Sequence, residues 1–202
     1  MNKKKTIIAA IVLLLVLLVG GAIAYFTDTE TKTNTFTIGN VDIELKEDAY
    51  DALTEAQRQN LMPGQEVAKD PIIKNISTAN KAYVFAKVEA PCSTDTTAKE
   101  AFDIEINDGW YLMTDGTCAS GKVTRIYAYG SASAMTELAA GASAPVLFKN
   151  SKVVVNEDID GTETGLGFKE NEEKNLNIVV TAYGIQVDGL GATTPTAVWA
   201  KF

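Results

Sequence analysis

The chain contains no histidine in 202 residues, and this absence removes whole classes of chemistry. A His-Glu-x-x-His zinc centre, a Ser-His-Asp triad and a Cys-His dyad each need an imidazole that ligates or titrates near neutral pH. Cysteine is almost as scarce. Cys92 and Cys118 are the only two, too few for a structural zinc site built without imidazole. Basic residues are outnumbered, 18 Lys and Arg against 26 Asp and Glu. That balance repels phosphate backbones, so nucleic acid is not an expected partner. Acids are plentiful enough for carboxylate-only hydrolysis, but no pair stands out from ordinary surface acids. No catalytic residue is assigned, and the chain reads as a non-enzyme without a cofactor.

What is present starts with a leader. Lys3, Lys4 and Lys5 form a positive cluster, Ile7 to Val19 is an unbroken apolar run, and Ala22-Ile23-Ala24 places small side chains where a signal peptidase needs them. Residues 1–24 are therefore expected to be a cleaved signal-peptide helix, with the cut between Ala24 and Tyr25. Thr6 to Phe26 is uncharged and as a retained anchor would offer the alternative of a bilayer span. Cleavage removes three lysines and no acid, taking the formal charge from −8 to −11. The expected destination is the extracellular matrix or cell surface of a Gram-positive-type bacterium, with membrane contact only through the uncleaved leader.

After the leader the period changes to two. Residues 25–38 carry Thr at 27, 29, 31, 33, 35 and 37, while Phe26, Phe36 and Ile38 share the other face. β-Branched Thr favours extended backbone. This segment is expected to be a donor-type strand that can complete a neighbour's sheet; a frayed terminus is the plainer reading.

Residues 39–202 are expected to form one β-sandwich domain. Alternation of apolar and polar residues marks strands at Val41–Leu45, Ala82–Val88, Phe102–Ile106, Gly109–Met113, Lys122–Tyr129, Pro145–Phe148, Lys152–Val155 and Leu176–Val187. Asn-Asp-Gly109, Thr-Asp-Gly116, Asp-Gly161 and Asp-Gly189 supply turn residues that tolerate positive φ. Many short strands with such turns predict an all-β, jelly-roll-like antiparallel sandwich. One or two short helices fall in its connections. The spacing of Ala49, Ala52, Leu53 and Ala56 predicts a helix over Glu47–Leu61, stopped by Met62-Pro63-Gly64. A weaker helical signal runs from Ser133 to Ala140.

Three further groups bear on function. An even cysteine count in an exported chain points to a Cys92–Cys118 disulfide. The acidic turn around Asp158, Asp160 and Glu163 is a weak calcium candidate, since its spacing does not match an EF-hand. Trp110 and Trp199 could stack on carbohydrate, but indoles in such folds more often serve the core.

The runs Ala24-Tyr25-Phe26-Thr27-Asp28 and Asn34-Thr35-Phe36-Thr37-Ile38-Gly39-Asn40-Val41-Asp42-Ile43 resemble the start of the TasA and camelysin (CalY) family of exported biofilm-matrix proteins. Met62-Pro63-Gly64 through Lys69-Asp70-Pro71 with Asn75, the strand Ala82–Val88, and Asp108-Gly109-Trp110 with Pro145–Phe148 extend the likeness in the family's order. The resemblance implies a jelly roll, processing by a dedicated signal peptidase, and secreted subunits that polymerise head to tail into fibres, with a minor accessory matrix protein as a further partner. Members are also classed as metalloproteases, which gives the alternative of a secreted camelysin-like protease. A monomeric cell-surface binding module is the other alternative.

Overall fold

The computed structural model describes residues 41–58, 61–94, 99–159 and 176–202, all of which belong to the compact unit Gly39–Phe202. The elements are β1 (Ile43–Lys46), α1 (Asp48–Asp51), α2 (Glu55–Arg58), β2 (Glu66–Ala68), β3 (Ile72–Asn75), β4 (Ala82–Pro91), β5 (Phe102–Asp103), β6 (Trp110–Asp115), β7 (Lys122–Tyr129), β8 (Lys152–Val155), β9 (Val179–Gln186) and α3 (Pro195–Trp199). Every ladder is antiparallel. Among the described residues no helix is long and apolar enough to cross a membrane.

One layer is the sheet β6-β7-β4-β9. β4 is its centre, with Phe85 opposite Ala128 on β7 and Tyr183 on β9. Its unusually long apolar run is explained by burial on both faces. Ala82, Val84, Ala86 and Val88 point into the main core, whereas Tyr83 and Phe85 point outward, into a second cluster with Met135 and Val198. α3 caps that outer cluster: Trp199 lies edge-on to Phe85 and to Tyr183, each at 5.1 Å between ring centroids. Lower on the same face Lys87 and Glu89 are half-buried and paired at 3.2 Å.

The second layer is built from β1-β3 and β2-β8-β5. Residues 142–148 join these ladders. The amide of Asn75 donates to the Ala142 carbonyl, Ala144 to Ile73 and Leu147 to Pro71, while on the opposite side Asn107 donates to Leu147 and Lys149 to Glu105. β2 and β3 thus act as one bent strand against 142–155. Val67, Ile73, Phe102, Leu147, Phe148, Val153 and Val155 face β4 across the interior. Burying each such side chain contributes about 1.5 to 3 kcal/mol. The result is the expected all-β sandwich.

At one flank the layers come very close. A Cβ on Gly184 of β9 would lie 2.7 Å from Ile43 Cγ2 and 3.3 Å from Val41 Cγ1, so only glycine lets β1 close this side.

Several expectations need correction. The continuous helix Glu47–Leu61 is broken into α1 and α2. The Thr54 amide and hydroxyl both donate to Gln57 Oε1 at 2.9 Å, the glutamine half of a capping box, and an amide satisfied in this way starts a new helix rather than continuing one. The segment Ser133–Ala140 is not helical. It is pulled out by hydrogen bonds between Met135 and Thr193, Thr136 and Tyr129, and Leu138 and Ala82. Pro145–Phe148 forms no strand of its own: backbone bonds from Leu147 to Pro71 and from Asn107 to Leu147 and one bridge, Phe148 to Ile106, join it to its neighbours. β2, β3 and α3 are additions. Gly109 and Gly189 take positive φ of 91° and 80°, while Gly116 does not and Gly161 lies outside the described residues.

Candidate functional site

The Met62–Asn75 block is built for architecture. Pro63 and Gly64 occupy the centre of a turn closed by the Gln65 amide on the Met62 carbonyl, with Gly64 at φ 76°, as a type II turn requires. The turn feeds β2. Lys69 and Asp70 then reach to α1: the Asp70 carboxylate accepts the free amides of Ala49 and Tyr50 at 2.9 to 3.1 Å, supplying from a distance the cap a helix start needs. Lys69 Nζ pairs with Glu47 Oε2 at 2.6 Å, with side chains only 8% and 18% exposed. The Tyr50 ring is held between two cations, Lys69 Nζ at 4.3 Å and the Arg58 guanidinium at 4.6 Å from its centroid. This cluster was not evident from spacing; its signal was the Lys69-Asp70-Pro71 run.

Tyr50, Arg58 and Lys69 stand at the mouth of a small cavity of about 70 Å³. Leu61, Val67, Phe102, Val153, Leu176, Asn177 and Ile178 complete its lining. It lies in the seam between the layers, where the flank of β2 is covered by α1 and α2 instead of by a strand.

A wider, open groove of about 530 Å³ includes Lys99, Glu100, Arg125, Tyr127, Asn156 and Asp158 in its lining. Arg125 engages both nearby acids. Its Nε donates to Asp115 Oδ1 and Nη1 to Glu100 Oε2, each at 2.7 Å, and Nη2 also donates to Glu100. These contacts, that with Glu100 foremost, hold the guanidinium above its ordinary range despite partial burial. Burial pushes the Tyr127 hydroxyl up to about 12. One cation thus matches the Glu100 and Asp115 carboxylates, while Asp103, Glu105 and Asp158 also line the groove.

Cys92 and Cys118 are bonded, with Cα atoms 5.9 Å apart. Trp110 is buried, its Nε1 donating to the Pro145 carbonyl at 3.1 Å, and Trp199 is half-buried in the α3 aromatic cluster. At the acidic turn, the Asp158 amide is held by Asn156 Oδ1 and its carbonyl accepts from Lys99 Nζ at 3.1 Å. Asp160 and Glu163 lie outside the described residues, as do Ala22, Ala24, Tyr25, Phe26, Phe36 and Ile38.

The sequence profile of the camelysin metallo-endopeptidase family matches residues 1–107, just over half of the chain. The chain belongs to the camelysin family. No curated protein and no solved structure matches it. The family's description implies a catalytic metal, and the donor set of this camelysin-family chain does not fit one. Histidine is absent from the whole sequence, and both sulfurs are committed to each other. Among the described residues no three His, Cys, Asp or Glu side chains are grouped to share an ion.

Proposed function

We propose that this camelysin-family protein is a secreted structural subunit of extracellular matrix fibres, and not a peptidase. The observation that carries the reading is the strand-patterned segment 25–38, which signal cleavage would free, ahead of a sandwich that already has its own core. Such a strand adds to a neighbour's sheet through backbone hydrogen bonds, with Phe26, Phe36 and Ile38 setting register. The contact is head to tail and does not close on itself, so it grows into a filament. β9 suits an acceptor: it is regular over its whole length and, among the described strands, hydrogen-bonded on one side only, to β4. β6, at the other edge, is interrupted by an irregularity between Leu112 and Thr114, of the kind that discourages edge pairing. The partners in this reading are further copies of the chain, a signal peptidase during export, and a minor accessory matrix protein.

The test is electron microscopy and sedimentation of the mature protein. Filaments are expected for the wild type and should be lost on deleting residues 25–33 or on Phe36→Asp; variants that polymerise as well as wild type would sink the reading. The family's description favours a second one, a metallo-endopeptidase. Stoichiometric zinc in the same preparation, with casein cleavage abolished by a chelator, would establish it; neither is expected.

A further inference from the structure

We infer that the acceptor for the N-terminal strand of a second subunit is the seam between β2, the α1–α2 segment and the start of β9, with Phe26 entering its cavity and Asp28 meeting Arg58. This inference rests on the strand-exchange reading above and names the surface on which exchange takes place.

Three observations converge on the seam. The first is the uneven closure of this flank. β1 seals the half beside Gly184 through Val41 and Ile43. Beside β2 the cover is two four-residue helices that contribute no buried residue. α1 is fastened by Asp70 and by the Lys69–Glu47 pair, whereas α2 is tied to it through Arg58, and a helix this short is not stable by itself. The second is the cavity beneath it, lined by Leu61, Val67, Phe102, Val153, Leu176 and Ile178. At about 70 Å³ it is half the roughly 150 Å³ that accommodates a benzene ring, so a phenyl group enters as α2 moves outward. Val179, at the first position of β9, is 41% exposed there, on a strand able to pair with an incoming backbone.

The third is charge. Lys69 is neutralised by Glu47. Arg58 donates from Nη2 to the carbonyls of Tyr50 and Asp51 at 3.0 Å, and among the described residues no carboxylate pairs with it. In segment 25–38 the acids are Asp28 and Glu30, and both fall on the face that carries Phe26, since alternate residues of a strand share a face. A phenyl group in the cavity therefore places a carboxylate one strand repeat away, at the rim where Arg58 sits. Phe36 has no acid at the matching offset; Ile38 stands there.

Two measurements on the full mature protein test this. With Phe26 replaced by p-benzoylphenylalanine, irradiation during assembly should give intermolecular cross-links to Leu61, Val67 or residues 176–178. Arg58→Glu should lower sedimentable polymer on the order of tenfold, the scale of a lost interfacial charge contact, and Arg58→Glu combined with Asp28→Arg should restore it. Filaments whose cross-links map elsewhere on the neighbour, or a double variant no better than Arg58→Glu, would overturn the seam while leaving strand exchange standing. Absence of filaments from the wild-type mature protein would overturn both.

Discussion

Asn75→Leu is expected to cost about 3 kcal/mol of unfolding free energy, the sum of three lost hydrogen bonds at about 1 kcal/mol each. Asn75 is fully buried, and every polar atom of its side chain is in use. Nδ2 donates to the carbonyls of Asn80 at 2.8 Å and Leu138 at 3.0 Å, and Oδ1 accepts the Ser77 amide at 3.1 Å. The amide therefore fastens the β3–β4 connection to itself and to the segment that pairs with Ala82 at the start of β4. Leucine has a similar volume and fills the space, but it removes the acceptor of the Ser77 amide and one donor each from the Asn80 and Leu138 carbonyls, the latter still accepting from Ala82. In a domain of this size the loss corresponds to about 6 to 12 °C in melting temperature. Denaturant unfolding followed by circular dichroism gives the value, and a change below about 0.5 kcal/mol, the range of neutral surface substitutions, would show that these contacts are dispensable.

Removing the disulfide should have the other large effect. Cys92 follows β4 directly, in full burial, and Cys118 lies in the β6–β7 connection, 26 residues away. Chain-entropy arithmetic for that separation gives about 3.5 kcal/mol. Cys92→Ala with Cys118→Ala should lose this amount, and reduction of the wild type should reproduce most of it. Either single alanine variant should cost nearly as much as the pair, because each already abolishes the bridge. Equal stability of reduced and oxidised protein in matched denaturant titrations would contradict the expectation. Hydrogen exchange should locate the loss in β5 and β6, the strands inside the closed loop.

The layers were legible where one segment carries its own period. β4, β7, β8 and β9 alternate over four or more residues between turn signals, and each stands close to where its pattern placed it. β2 and β3 escaped because Lys69-Asp70-Pro71 interrupts a single bent strand, and the halves are too short to show a period. The 47–61 misreading has a local cause. Apolar spacing alone predicts one helix, but the Thr54 amide donates to the Gln57 side chain, and that N-terminal cap outranks the spacing. The Ala-rich stretch after Ser133 has good helix formers, and tertiary pairing to Ala82 and Thr193 overrides them. The seam was not legible at all. Its walls come from residues near 50 to 69, 102, 153 and 176, brought together only by the sandwich topology.

In the proposed fibre, the covalent link between Cys92 and Cys118 would also fix how far the material can stretch. A load drawn along such a filament would enter each subunit near its N-terminal strand and leave through the edge proposed to grip the next. Were a subunit to give way under that load, the residues between the two sulfurs, a separation of 26, would stay looped and bear no tension. At about 3.5 Å per extended residue the bridge withholds about 90 Å of contour length from every subunit. An oxidised fibre would therefore be shorter at full extension and would stiffen earlier than the same fibre reduced.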